Sequence, residues 1–74
     1  MNLDRDAVAK IVMNTSMTMA DLYRIGITSS STNAQKENAW ACAVAANNAG
    51  VFILQKLGFS NDEIKALVEG YNSK

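Results

Sequence analysis

The chain has 74 residues and no proline, and its glycines stand at positions 26, 50, 58 and 70. Proline breaks the interior of a helix, so its absence leaves long stretches of the chain free to be helical. Three of the four glycines lie where an apolar pattern stops, which is the usual place for a helix to end. The absence of proline and the positions of the glycines predict an all-α fold made of a few helices joined by short turns.

Hydrophobic spacing defines the first predicted helix, which runs from Asp4 to about Arg24. Asp4 is its N-cap, because a short carboxylate accepts hydrogen bonds from the free N–H groups of a first turn. Apolar and small side chains recur at helical spacing and predict the buried stripe of this helix. The stripe consists of Val8, Val12, Thr15, Met19 and Leu22, widened by Ile11 and Tyr23.

Two capping boxes locate the other helices. In each, a hydroxyl side chain is followed three residues later by Glu or Gln, so that the two residues can cap each other. Thr32 with Gln35 starts a long second helix that reaches about Leu57, and Ser60 with Glu63 starts a short third helix. We therefore expect a single domain over residues 1–74, a small three-helix bundle in which a helical hairpin carries a short C-terminal helix.

A domain of this size buries a small share of its surface and commonly needs extra support, such as a disulfide, a metal or a second copy. The chain has one cysteine and no histidine, so neither an internal disulfide nor a zinc site is expected. The second helix is apolar nearly all round, and one side carries small residues that would let another helix approach closely. We predict a homo-oligomer whose interface contains Ala39, Cys42, Ala46, Ala49 and Ile53.

The residues needed for catalysis are missing. Without histidine, acid–base chemistry near neutral pH would need a carboxylate or lysine with a strongly shifted pKa. Cys42 stands between two alanines, which favours a small buried core residue over an activated nucleophile. We expect no enzyme activity, no catalytic residue, no metal site and no cofactor.

Polar residues interrupt the helices near their centres and are the candidate binding residues. Asn47 and Asn48 lie in the middle of the apolar second helix, two turns after Trp40, and the antiparallel first helix would present Asn14 and Thr18 opposite them. These five residues either form a pocket for a ligand or include a structural polar layer. Asn47 shares a face with Trp40 and should be buried and hydrogen-bonded, whereas Asn48 should be exposed.

Charge and hydropathy restrict the partners and the location. Seven basic and seven acidic residues balance, so nucleic acid is not an expected partner. Charged residues within positions 1–9 do not fit a secretory signal, and we expect a cytoplasmic protein. The uncharged stretch 38–54 contains three asparagines and is rich in alanine, so a membrane span is not expected either.

Two resemblances extend the possible functions. The stretch LGFSNDEIKAL at residues 57–67 resembles helix openings in winged-helix regulators and ubiquitin-associated domains, which implies a small DNA-binding regulator or an interaction domain. A long helix that opens near Trp40 and carries Asn47 and Asn48 before Gly50 and Leu54 resembles phage-encoded sponges for cyclic oligonucleotide signals. The second helix has none of the arginines that such proteins are expected to place on phosphates.

The first hypothesis is a small non-enzymatic interaction or inhibitor protein, of the kind carried by phages and mobile elements, that binds a larger protein. The first alternative is an oligomeric helical sponge for a small molecule or cyclic nucleotide. The second alternative is a small DNA-binding regulator. A partner protein would leave an exposed surface for docking, a sponge would have a polar pocket, and a regulator would have a basic face.

Overall fold

The computed structural model describes residues 4–73. It contains three helices, α1 (Arg5–Ile25), α2 (Asn33–Lys56) and α3 (Asn61–Asn72), and no strand occurs in this part of the chain. The start of α1 contacts the turn after α2, while Ser16 in the middle of α1 contacts the middle of α2, so the two helices form an antiparallel hairpin. The predicted all-α three-helix bundle is confirmed.

The predicted caps are also confirmed. The Asp4 carboxylate accepts a hydrogen bond from the Asp6 N–H at 3.1 Å. In the box that starts α2, Gln35 Oε1 accepts from the Thr32 N–H at 2.8 Å and Thr32 Oγ1 accepts from the Gln35 N–H at 3.1 Å. Gly58 follows α2 with a φ of +91°, a left-handed conformation that favours glycine and turns the chain toward α3.

The face that α1 turns toward α2 differs from the prediction. The predicted stripe of larger side chains lies to one side of the contact, and five of its seven members are exposed, namely Ile11, Thr15, Met19, Leu22 and Tyr23. Small side chains allow helix axes to come close, and a stripe dominated by them makes the contact instead. The buried residues of α1 are Ala9, Met13, Ser16 and Ala20, spaced by four, three and four.

The closest approach of the hairpin joins Ser16 on α1 to the backbone of α2. The Ser16 hydroxyl donates a hydrogen bond to the Ala46 carbonyl. A Cβ atom at Gly50 would lie 2.5 Å from the Ser16 Cβ, a distance that real side chains do not adopt. Gly50 is therefore required for the hairpin to close at this spacing.

The hydrophobic core is small and lies at the end of the hairpin that α3 covers. Its buried members are Ala9, Met13, Leu54, Phe59 and Ile64. Leu67 and Val68 of α3 pack against this cluster, together with Met17 of α1 and Val51 of α2. The third helix thus covers one side of the hairpin.

A surface cluster joins the start of α1 to the start of α3. Arg5 donates a hydrogen bond to Glu63 at 2.9 Å, and its guanidinium lies 3.8 Å from the centroid of the Phe59 ring. The Arg5 side chain, with a further hydrogen bond from the Ser60 N–H, lowers the pKa of Glu63 from 4.5 to about 2. Glu63 is therefore both the reciprocal residue of the capping box and the acid of a tertiary ion pair.

This ion pair predicts a specific dependence of stability on pH. A carboxylate with a lowered pKa in the folded state contributes stability that is present above about pH 4.5 and is lost as the pH falls toward about 2. Glu63→Gln keeps an oxygen for the Ser60 N–H but has no charge, so its thermal midpoint should change less than that of the wild type over this window. Thermal melts monitored by circular dichroism measure the difference.

The control for this prediction is Glu37→Gln. Glu37 is exposed and belongs to neither of the two ion pairs found among residues 4–73. Its variant should keep the wild-type dependence of the midpoint on pH. Equal flattening in both variants would show that general surface charge, not the contact between Arg5 and Glu63, causes the acid sensitivity.

Candidate functional site

An open apolar groove of about 660 Å³ runs between α1 and α2. None of the described residues of α3 lines the groove, and Val12, which does line it, packs on the hydrophobic core below. The groove is therefore a surface of the hairpin that residues 4–73 leave uncovered. It is lined by Ile11, Val12, Thr15, Ser16, Met19, Tyr23, Cys42, Ala45, Ala46, Ala49, Gly50 and Ile53.

The groove has a small-residue floor on α2 and larger side chains along its edges. Ile11 is 63% exposed and Met19 is 44% exposed on the α1 edge, while Ile53 is 45% exposed on the α2 edge. No charged side chain belongs to the lining. Apolar surface of this extent is costly to leave in water and is typical of a contact site.

Four of the five residues predicted for an oligomer interface line this groove, namely Cys42, Ala46, Ala49 and Ile53. Ala39 is half-buried one turn before Cys42 on the same side of α2. The interpretation of Cys42 as a buried core residue is wrong, because Cys42 is exposed. Its small side chain belongs to the groove floor because the contact with α1 is made by Ala43, Gly50 and Leu54.

A second apolar surface surrounds Trp40 near the turn between α1 and α2. We call Trp40, its cavity neighbours Ile27, Lys36 and Glu37, and the adjacent Arg24 the Trp40 patch. The cavity measures about 470 Å³, and the Trp40 side chain is 60% exposed. An exposed tryptophan of this kind offers a large, rigid apolar surface with an N–H donor at one edge.

Residues from all three helices support the Trp40 patch. The Asp21 carboxylate accepts hydrogen bonds from Arg24 at 3.0 Å and from the Tyr71 hydroxyl of α3 at 2.6 Å. The guanidinium carbon of Arg24 in turn lies 5.8 Å from the centroid of the Trp40 ring, within the range of a cation–π contact. Asp21 thus positions Arg24 beside the ring. Of these residues only Trp40 was predicted from the sequence. The contact that ties Asp21 to Tyr71 joins residues 50 positions apart, so no local pattern indicated it.

The five predicted binding residues are not gathered in one cavity. Trp40 lines its own cavity, and Asn14, Thr18, Asn47 and Asn48 line neither that cavity nor the groove. Thr18 and Asn48 are exposed, as expected for Asn48, and Asn14 is half-buried. The polar part of α1 does meet the centre of α2, but through the Ser16 hydroxyl and the Ala46 carbonyl.

The Asn47 side chain has a polar atom that is buried. Its side-chain oxygen is buried as expected, but it makes no hydrogen bond with any described residue, so the predicted hydrogen bond is wrong. Ser16 takes the contact across the hairpin instead, because a small hydroxyl fits the close approach of the two helices. Asn47 therefore costs stability at this position rather than supplying it.

Neither metal ligands, nor a membrane-spanning helix, nor similarity to a known protein indicates a function for the part of the chain that the structure describes. Residues 4–73 contain no cluster of three or more His, Cys, Asp or Glu side chains that could hold a metal ion. No helix in this part of the chain is long and apolar enough to cross a membrane. Comparison with protein-family models, with curated proteins and with solved structures gives no match.

Proposed function

We propose that this chain is a small non-enzymatic protein that acts in the cytoplasm by binding a larger protein, as an interaction or inhibitor protein of the phage-borne kind, and that it works as a homo-oligomer. The observation that carries the proposal is that Trp40 is exposed and lies beside Arg24, whose side chain is hydrogen-bonded to Asp21. Tryptophan and arginine are enriched among the few residues that supply most of the binding energy in protein interfaces.

The Trp40 patch has the composition of an interface centre with a polar border. The ring and Ile27 form the apolar part, while Lys36 and Glu37 place one charge of each sign at the edge of the cavity. Because Asp21 already holds Arg24, little side-chain freedom remains to be lost when a partner binds. We infer that the partner inserts an apolar side chain into this cavity and pairs polar groups with its border.

The non-enzymatic part of the proposal rests on the side chains that surround the two cavities. The groove contains one thiol and no acid or base that could activate it, and the whole chain has no histidine. The Trp40 cavity contains one lysine and one glutamate at an open surface. In neither place is a nucleophile joined to a general base by a hydrogen bond or ion pair found among residues 4–73.

The two alternative functions have less support. A sponge for cyclic nucleotides needs free cations near its ligand. The groove lining has none, and at the Trp40 patch Arg24 is paired with Asp21 while Glu37 offsets the charge of Lys36. A DNA-binding regulator needs a basic face, and both Arg5 and Arg24 are paired with carboxylates. An exposed, supported tryptophan fits the binding of a protein better than either alternative.

Replacing Trp40 with alanine is the test of this function. Wild-type and variant chains are used as baits in extract of the source organism, and a protein retained by the wild type is then purified and titrated by calorimetry. We expect Trp40→Ala to weaken its binding by about fivefold or more, which corresponds to the loss of about 1 kcal/mol from an interface anchor.

Phe52→Ala is the matched control for this test. Phe52 lies on the same helix, is 58% exposed and lines neither the groove nor the Trp40 cavity. Its variant should bind within about twofold of the wild type, as expected for a residue outside the interface centre. Equal binding by wild type and Trp40→Ala would refute the assignment of the Trp40 patch.

A further inference from the structure

We infer that the apolar groove between α1 and α2 is occupied by the same groove of a second copy of this chain, in a two-fold symmetric dimer. This inference deepens the self-association that is part of the proposed function, and it names the surface and the occupant. It does not involve the Trp40 patch, because Trp40 does not line the groove.

The exposed apolar face is wider than the groove alone. Six large apolar side chains that line the groove or border it by helical spacing are each 39% to 63% exposed, namely Ile11, Met19, Leu22, Tyr23, Ile53 and Leu57. A standard stable interface takes about 800 Å² from each partner. A dimer of that size would therefore use the whole face, the groove together with Leu22 and Leu57.

The charge pattern of both helices suits contact with an identical copy. In a two-fold interface, residues near the axis meet their own copies, so a charged residue there would face a charge of the same sign. Residues 11–20 of α1 and residues 38–54 of α2 carry no charge, and these two segments contain the central part of the groove. The charges of the hairpin lie beyond these segments.

The shape of the groove is also self-complementary. Its floor is made of small side chains such as Cys42, Ala45 and Ala49, and its edges carry the large side chains Ile11 and Met19. When two grooves face each other, the large side chains of one copy lie over the small floor of the other. Such alternation of large and small residues is how facing helices fill the space between them.

The thin core of the single chain gives a reason for the second copy. Three of the seven buried hydrophobic residues described are alanines, and the only large side chains that are fully buried among residues 4–73 are Met13 and Leu54. A core of this size is small for a domain of 74 residues, and oligomerisation is a common way to increase burial. The groove is where additional burial is possible.

The experiment compares the full chain with two glutamate variants by native mass spectrometry and sedimentation velocity at tens of micromolar. Ala49→Glu places a charge on the groove floor, and Ala41→Glu places the same charge on an exposed position of α2 outside the groove. We expect a dimer for wild type and for Ala41→Glu, and a dissociation constant at least about tenfold weaker for Ala49→Glu. If Ala49→Glu loses the circular dichroism signal of its helices, Ile11→Glu on the α1 edge of the groove provides the same test.

The alkylation rate of Cys42 provides a second measurement. Cys42 is exposed in the single chain and lies in the groove, so dimer formation should protect its thiol. Diluting the wild type should therefore raise its rate of reaction with N-ethylmaleimide, whereas for Ala49→Glu the same change should occur only at protein concentrations at least about tenfold higher.

Each other result overturns the inference. A wild-type monomer at tens of micromolar, whether empty or carrying a small molecule or another protein in the groove, removes both the dimer and the proposed self-association but leaves binding through Trp40 standing. An oligomer that Ala49→Glu leaves unchanged removes the groove as the interface while keeping self-association.

Discussion

Gly50→Ala is expected to destabilise the fold by about 2 kcal/mol, although alanine is the better helix former by about 1 kcal/mol. The new Cβ would lie 2.5 Å from the Ser16 Cβ, so α1 and α2 would have to move apart. That movement would also stretch the hydrogen bond from the Ser16 hydroxyl to the Ala46 carbonyl. Urea denaturation of wild type and variant at equal protein concentration measures the difference in the free energy of unfolding.

Two further variants separate the close approach from a general effect of alanine. A Cβ at Gly70 in α3 would have no neighbour within 4 Å, so Gly70→Ala should raise stability by up to about 1 kcal/mol. Adding Ser16→Gly to Gly50→Ala removes the clashing side chain and should recover part of the loss. If Gly50→Ala and Gly70→Ala stabilise the protein to the same extent, the hairpin is not as close at Gly50 as described.

Local features of the chain were sufficient to predict where the helices begin and end. The two capping boxes, Thr32 with Gln35 and Ser60 with Glu63, are present with both of their hydrogen bonds. Each box involves residues three apart, and its geometry depends on little else in the molecule. The helix bounds therefore follow from the sequence to within about two residues.

The face that α1 turns toward α2 could not be predicted from α1 alone. Two stripes compete on this helix, one with larger side chains including Met19 and Leu22, and one with Ala9, Met13, Ser16 and Ala20. Hydrophobic periodicity favours the first because its side chains are larger. The second wins because it faces Gly50 and the small side chain of Ala43, so the choice depends on a match between two helices that are distant in sequence.

The candidate sites also combine features that local sequence predicts with features that depend on contacts between distant residues. Three small residues of the groove floor, Cys42, Ala46 and Ala49, were placed on one side of α2 from their spacing, whereas the α1 edge was assigned to the core. The support of the Trp40 patch by Asp21 and Tyr71 joins residues 50 positions apart. Such contacts form only when α3 packs on the hairpin, so no local sequence pattern predicts them.

Asn47→Leu is expected to stabilise the protein by about 1 to 2 kcal/mol. The buried Asn47 oxygen has lost its hydrogen bonds to water and gains none from any described residue, a situation that usually costs about 1 to 3 kcal/mol. Leucine has a similar branched outline and no polar atom, and the additional methyl volume reduces the expected gain. Denaturant unfolding at fixed protein concentration measures the change.

Asn48→Leu is the matched control, because Asn48 is the neighbouring residue of the same helix and is exposed. Both substitutions gain the same few tenths of a kcal/mol in helix propensity, so the difference between the two variants isolates burial. We expect Asn47→Leu to exceed Asn48→Leu by about 1 kcal/mol, with the larger difference if no water reaches the Asn47 oxygen. Because Asn47 does not line the groove, the dimer mass of Asn47→Leu should equal that of the wild type. Equal gains from the two variants would show that the Asn47 oxygen is satisfied in solution, and a buried water bonded to that oxygen would then be part of the fold.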